Sequence, residues 1–363
     1  MTSVPLGTKV RTAVPLSGYT TLRLGGPAAR FLEPARAEDV ADAIRAADRE
    51  GEPLLVLGGG SNLVIADSGF PGTVVRVANR GIGFDAGPGG RVQLTVEAGE
   101  DWDAVVAHTV AAGLGGLECL SGIPGLVGAT PVQNVGAYGV EVAQLLISVD
   151  LLDRASGEIR TLRTDELGLA YRTSILKNTD RAVVLRVRFE LTDDGQSAPI
   201  RYTELARALG VRQGSRVPVA DAREAVLKLR RGKGMVLDPT DHDTWSVGSF
   251  FTNPIVAAAD LPDVLARIAA RVGPDTPVPQ YPAGPGAIKL SAAWLIERAG
   301  FAKGYAGPGG RVALSGKHTL ALANLGTAST ADLLTLAREV RDGVLAAFGV
   351  ELRPEPVLVG CVL

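Results

Sequence analysis

Cysteine and histidine are scarce here, and their scarcity removes several classes of chemistry. Two cysteines, Cys119 and Cys361, in 363 residues cannot build a disulfide framework or a cysteine metal site, and the simplest compartment is a reducing cytoplasm. The three histidines, His108, His242 and His318, show no metal-ligand spacing. No run of 18 apolar residues exists, so no membrane span is expected. The opening MTSVPLGTKVRTAVPLSG lacks the apolar core of a secretory leader. There is no excess of positive charge: 37 basic against 39 acidic residues leave a net −2, which argues against a nucleic-acid partner. A dinucleotide fingerprint fails because Leu63 stands where the third glycine after Gly58 and Gly60 belongs. A phosphate-binding P-loop fails at Gly316-Lys317, which His318 follows and Arg311 precedes at the first glycine position. No G-x-S-x-G nucleophile elbow occurs.

What the chain has is glycine, 45 residues of it, gathered at informative places. Ser121 to Glu141, SGIPGLVGATPVQNVGAYGVE, holds five glycines and two prolines without helical or strand period. Ordering such a stretch is costly, because glycine loses the most backbone freedom on folding. Upstream, LLVLGGGSNLVIAD (Leu54 to Asp67) runs a short apolar strand into Gly58, Gly59, Gly60, Ser61 and Asn62. Glycines after a strand let backbone N–H groups crowd an anion. Two such turns suggest a diphosphate-containing cofactor clasped from two sides.

The length admits two or three domains, and 46% hydrophobic with 21% charged residues is ordinary for a soluble enzyme. Apolar period predicts helices over 36–50, 102–114, 220–234, 261–273, 291–300 and 330–348. Alternation predicts strands over 54–57, 73–77, 91–99, 145–153, 182–191 and 319–324, with a last strand at VLVG near the end. Residues 192–219 read as a polar, irregular linker or loop around Tyr202.

Three polar clusters stand out. Tyr171-Arg172-Thr173-Ser174, with Lys177 and Asn178 close by, offers an arginine fork suited to a carboxylate or phosphate. Ser246 to Pro254, SVGSFFTNP, puts small residues before an aromatic pair and could place a hydroxyl in a pocket. In ELRPEP, Glu355 lies between Pro354 and Pro356, which fix its backbone. Each has a plainer reading: a surface ion pair for Arg172, a turn cap for Ser249, a solvent-facing Glu355.

Taken in order, LGGGSNLV, SGIPGLVGATPVQNVGAYG, YRTSILKN, GSFFTNP, SGKHTLALAN and the proline-flanked Glu355 are similar to the UDP-N-acetylenolpyruvoylglucosamine reductases, over about residues 20–360. The resemblance implies an α+β fold: a two-lobed FAD-binding domain of the vanillyl-alcohol-oxidase type plus an α+β substrate-binding domain. It divides the chain into a first FAD lobe at 1–78, to which 350–363 returns, a second at 79–220, and a substrate domain at 235–349. It implies FAD and NADPH as cofactors, and a cytoplasmic enzyme that forms UDP-N-acetylmuramate for peptidoglycan. Hydride passes through FAD to C3 of the enolpyruvyl group. Arg172 and Glu355 then resemble the groups facing the charge that develops on the carboxylate, and Ser249 the proton donor to C2. Glu355 needs a proton or a cationic neighbour to assist an anion. Tyr171, Lys177, Asn253 and His318 match substrate positions, and Tyr202 a loop tyrosine that closes over the UDP diphosphate. Gly58, Gly59, Gly60, Ser61, Asn62, Ser121, Gly122, Gly128, Ala129, Gln133, Asn134, Gly136 and Val142 fall in the flavin motifs. The partners implied are small molecules, the sugar nucleotide and NADPH, with no nucleic acid or membrane, and a monomer or weak oligomer is expected.

Two departures matter. Relatives with a K-L-P-D-P run carry a lysine a dozen residues before the serine; here the run is Met235-Val236-Leu237-Asp238-Pro239 and the nearest lysine is Lys233. His318 stands where relatives carry glutamine. Two other classes compete: an FAD-dependent sugar or alcohol oxidoreductase of the same fold, and a nucleotide-binding module without catalysis. The first often tethers flavin to His or Cys, and neither occurs in the first glycine motif. The second has no need of a proton donor.

Overall fold

The structure, a computed structural model, describes residues 9–363; the leader reading therefore falls partly outside the described residues. The chain divides into two compact units. Among the described residues the first comprises 9–14, 28–60 and 70–236. The second comprises Pro15–Pro27, Ser61–Gly69 and Leu237–Leu363. Both mix helix and sheet, as the α+β expectation requires.

In the first unit, α1 (Ala37–Glu50) has Glu38 and Asp39 in its first turn, where the helix dipole favours acid, and stops at Gly51 with φ 65°. Its Val40, Ala41, Ile44 and Ala47 recur at helical spacing and are buried. The strands Leu54–Leu57 and Pro27–Leu32 flank Phe70–Arg76 in parallel. A second sheet is antiparallel, in the order Ile159–Arg163, Leu146–Asp153, Ala182–Thr192, Arg91–Glu97, Ile82–Ala86. The α2 helix (Trp102–Ala111) buries Trp102 in the core, its indole N–H donating to the Leu120 carbonyl at 3.0 Å.

The glycine-rich stretch 121–141 is not formless. It contains a 3-10 turn, Val127–Ala129, and a two-residue hairpin pairing Gly136 with Glu141 and Ala137 with Val140. Two sequence expectations need correction. The segment 192–219 holds a helix, α3 (Thr203–Leu209), whose seven residues are too few to display a period. The strand expected over 319–324 shrinks to Leu322–Asn324, because Ala321 N–H turns back to the His318 carbonyl at 3.0 Å. The α4 helix (Val219–Gly232) is capped at Lys233, and the unit ends three residues later at Val236.

In the second unit, α5 (Leu261–Val272), α6 (Ala292–Ala299) and α7 (Thr330–Phe348) surround a core that includes Phe250, Phe251, Phe301 and Phe348. Distant segments meet in one parallel pair: Val357–Val359 lies on Leu63–Ile65, with Val357 opposite Leu63. Among the described residues no helix is long and apolar enough to cross a membrane.

Candidate active site

The two glycine motifs touch. A Cβ built on Gly59 would lie 2.7 Å from Gly125 Cα and 3.1 Å from its carbonyl carbon, so only glycine lets these backbones meet. A Cβ at Gly128 would stand 2.5 Å from that of Ala98, while its N–H donates to the Ala98 carbonyl at 2.9 Å. Asp103, in the first turn of α2, anchors the second motif. Its carboxylate accepts from the Gly122 N–H at 2.6 Å and from both Arg223 amino groups, at 2.6 and 2.9 Å. Burial alone would raise its pKa; these hydrogen bonds, with the charges of Arg223 and Arg230, hold it below the usual aspartate range.

Arg230 of α4 lies beside this anchor. It donates to the Met235 carbonyl at 2.8 Å and to the Gly122 carbonyl at 3.3 Å, while its buried Nε has no hydrogen-bond partner among the described residues. Burial lowers its pKa, countered by Tyr138 and Asp103. Close-packed glycines and an orphaned buried guanidinium N–H at one motif suit a bulky anionic cofactor such as FAD.

Other members of the motif turn inward. Ser121 is fully buried and its hydroxyl donates to the Glu118 carbonyl at 2.6 Å. The Asn134 amide donates to Glu141 at 2.9 Å and to the Ala170 carbonyl at 3.1 Å, and accepts from Ala143 N–H at 3.0 Å. These two side chains shape the loop from within. Val142 is buried, its N–H on the Val135 carbonyl at 2.8 Å, and Ala129 closes the 3-10 turn. Gln133 sits in the same loop; Gly58 and Gly60 precede the crossing into the second unit at Ser61.

Arg172 adopts φ 54°, rare for a side chain with a Cβ, at the tip of a turn in which Ala170 and Thr173 exchange backbone hydrogen bonds. Its Nη2 donates to the Gly136 carbonyl at 2.8 Å, and its guanidinium lies 5.4 Å from the Tyr171 ring centroid. Lys177 Nζ donates to the Arg172 carbonyl at 2.8 Å. Arg172, Tyr171 and Lys177 therefore form one group beside the second glycine-rich motif. Tyr202, 44% exposed, meets Tyr138 edge-to-face at 5.4 Å. Burial lifts the Tyr138 phenol to about 12. Lys233 pairs with Glu204 of α3 at 2.6 Å.

The second unit carries the remaining candidates. Ser249 Oγ lies 3.5 Å from His318 Nε2. Glu355 N–H donates to the Phe250 carbonyl at 2.9 Å, and the Glu355 carbonyl accepts from the Asn62 amide at 3.4 Å. Asn253 Oδ1 accepts from Ala292 N–H at 2.9 Å, which leaves its amide hydrogens available. Ser61 and Asn62 belong to this unit, and Asn62 supplies the carbonyl for Val357 N–H at 2.9 Å.

Sequence reasoning missed Asp103, Arg230 and Tyr138. Asp103 reads as an ordinary acid in a helix's first turn, and Arg230 as one of several basic residues closing α4. Tyr138, in Gly136-Ala137-Tyr138-Gly139, is legible as an aromatic among glycines.

Comparison with known proteins identifies the family. An FAD binding domain model matches residues 28–163, and the model of the UDP-N-acetylenolpyruvoylglucosamine reductase C-terminal domain matches residues 238–359. A UDP-N-acetylenolpyruvoylglucosamine reductase of Saccharopolyspora erythraea is 73% identical over 348 residues, covering 96% of this chain and 95% of that protein. One from Mycolicibacterium smegmatis is 56% identical over 361 residues, covering 98% and 97%. The crystal structure of the reductase from Thermus caldophilus superposes with a TM-score of 0.65 at 27% identity, across 97% of this chain and 99% of its own. Near-complete coverage at such identity leaves neither a different oxidoreductase nor a non-catalytic module in contention: the chain belongs to the UDP-N-acetylenolpyruvoylglucosamine reductase family of FAD-dependent oxidoreductases.

Proposed function

We propose that this chain reduces the enolpyruvyl double bond of UDP-N-acetylenolpyruvoylglucosamine with NADPH, giving UDP-N-acetylmuramate, and that the residues described above divide the work. FAD, when bound, would supply the two-electron chemistry that links NADPH oxidation to hydride addition at C3. The backbones of Gly58, Gly59, Gly60, Gly122, Gly128 and Gly136, with Ser61, Asn62, Ala129 and Gln133, would hold that cofactor. Ser121, Asn134 and Val142 set the loop's shape.

Hydride addition drives negative charge into the substrate carboxylate, and charge that develops in the transition state is best met by donors already in place. Arg172 fills that role, and Glu355, protonated or cation-paired, assists it. Ser249 delivers the proton to C2. Tyr171, Lys177, Asn253 and His318 bind the substrate, and Tyr202 covers its diphosphate. One observation carries this reading: the Arg172 guanidinium is tied at 2.8 Å to the carbonyl of Gly136, a member of the flavin motif. This bond supports an anion-binding fork carried on the loop that we propose holds the flavin. We further propose lobes at 1–78 with 350–363, 79–220 and 235–349, cytoplasmic residence, no nucleic-acid partner, and a monomer or weak oligomer.

Anaerobic stopped-flow absorbance at the flavin band tests the reaction. NADPH should bleach the band and the enolpyruvyl sugar nucleotide should restore it rapidly. Bleaching without recovery would discard the substrate.

A further inference from the structure

Ser249 is a weak acid, and a serine that gives its proton to carbon is left as an alkoxide in need of one. We propose that His318 is the positioning and proton-relay residue for Ser249, donating from Nε2 to Oγ as Ser249 protonates C2. This rests on the reading of Ser249 as proton donor. The Oγ···Nε2 separation is 3.5 Å, a loose contact of the kind that tightens in a substrate complex.

The backbone around the pair is held firmly. Ser249 bridges Ala321, and Phe250 N–H donates to the Leu320 carbonyl at 2.7 Å. The loop carrying His318 is closed by Ser315 N–H on the Ala321 carbonyl at 2.8 Å and Ala321 N–H on the His318 carbonyl at 3.0 Å. The buried Ser315 hydroxyl accepts from the Lys317 and His318 N–H groups, at 3.0 and 3.3 Å. Loop and serine therefore share one stitched frame.

Chemistry fixes the direction of the hydrogen bond. If Ser249 Oγ–H points at C2, Oγ must be the acceptor from His318, so Nε2 carries hydrogen. In the step, the Oγ–H bond breaks as C2–H forms, while Nε2–H breaks as Oγ–H is restored. The imidazolium becomes neutral imidazole, takes its proton back from solvent, and Ser249 ends unchanged. A neutral imidazole would stabilise the alkoxide only by hydrogen bonding. The charged groups around this loop include Lys317, paired with Asp241 and also facing the charge of Asp238; Asp243, accepting from Gly316 N–H at 3.0 Å; Glu297, accepting from the Thr319 hydroxyl at 2.5 Å; and Glu355 on the segment bonded to Phe250.

The test uses the FAD-loaded full chain, pre-reduced with NADPH and mixed with saturating substrate between about pH 5.5 and about pH 9, the window that spans histidine titration. Reoxidation by wild type should be fast at low pH and slow as the imidazolium is lost. His318→Gln keeps a donor but cannot titrate, so its profile should lose that limb and run about tenfold to hundredfold slower at low pH. His318→Ala should be slower still and be partly restored by added imidazole in its protonated form. Nitrogen NMR of the three imidazoles, His318 assigned by its absence in the variants, should show Nε2 protonated in the wild type. His318→Gln with the wild-type rate and profile overturns the relay, as does a change confined to KM. Should Ser249→Ala reoxidise at the wild-type rate, the proton-donor reading itself has failed, whatever the histidine variants do.

Discussion

Asp103 does two jobs with one carboxylate, fixing the Gly122 N–H of the second glycine-rich motif and the Arg223 guanidinium of α4. Asp103→Asn keeps the shape but strands the arginine, and should cost about 1–3 kcal/mol in denaturant unfolding. The sign of its pH dependence follows from the depressed native pKa. The stabilisation is whole at neutral pH and is lost as pH falls through the native value, so the variant should show a flatter acid limb than the wild type. Arg172→Ala should slow the substrate half-reaction by about a hundredfold or more while bleaching by NADPH persists. A variant that instead purified without flavin, seen as loss of the flavin absorbance band, would make Arg172 structural through its bond to Gly136.

At the scale of elements, close approach and capping are the testable features. Gly59→Ala places a methyl within 2.7 Å of backbone that cannot swing away, and should weaken FAD binding by about tenfold to hundredfold in a fluorescence titration. The start of α7 is reciprocally capped: Ser329 Oγ accepts from Asp332 N–H at 3.1 Å, and Asp332 accepts from Ser329 N–H at 3.0 Å. Asp67 receives the next two N–H groups, of Thr330 and Ala331, at 2.7 and 3.0 Å. Hydrogen bonds from Arg311 and Ser329 hold the Asp332 carboxyl far below the usual range, so this contribution too disappears on acidification. Ser329→Ala should lower stability by about 1 kcal/mol in thermal unfolding.

Elements of this length were readable beforehand. Helices with three or more apolar turns, such as α1, α5 and α7, end within a residue or two of where their periods stop. Three-residue strands such as Ile255–Ala257 and Val312–Leu314 cannot be read, since three positions hold no alternation, and α3 escaped for the same reason. The candidate site divides likewise. Glycines advertise themselves, whereas Glu118, buried with its carboxylate on the N–H groups of Gly116 and Ala198, gives no local sign of its role.

The whole molecule rests on two hydrophobic cores, one centred on residues such as Trp102 and Phe189, the other on Phe250 and Phe348. Phe189→Ala and Phe250→Ala should each cost about 3–5 kcal/mol. Calorimetry should show each variant lowering a different transition, with the double variant close to the sum. A shared, strongly non-additive transition would contradict separate cores. The parallel pairing of Val357–Val359 with Leu63–Ile65 has a consequence for the timing of synthesis. Asn62 and Glu355, which this pairing brings within a hydrogen bond, are 293 residues apart. At translation speeds of about 5–20 residues per second, the early strand waits about 15–60 s for its partner. Until then Val64 and Ile65, both fully buried in the finished protein, remain exposed on the nascent chain, a ready target for a holdase.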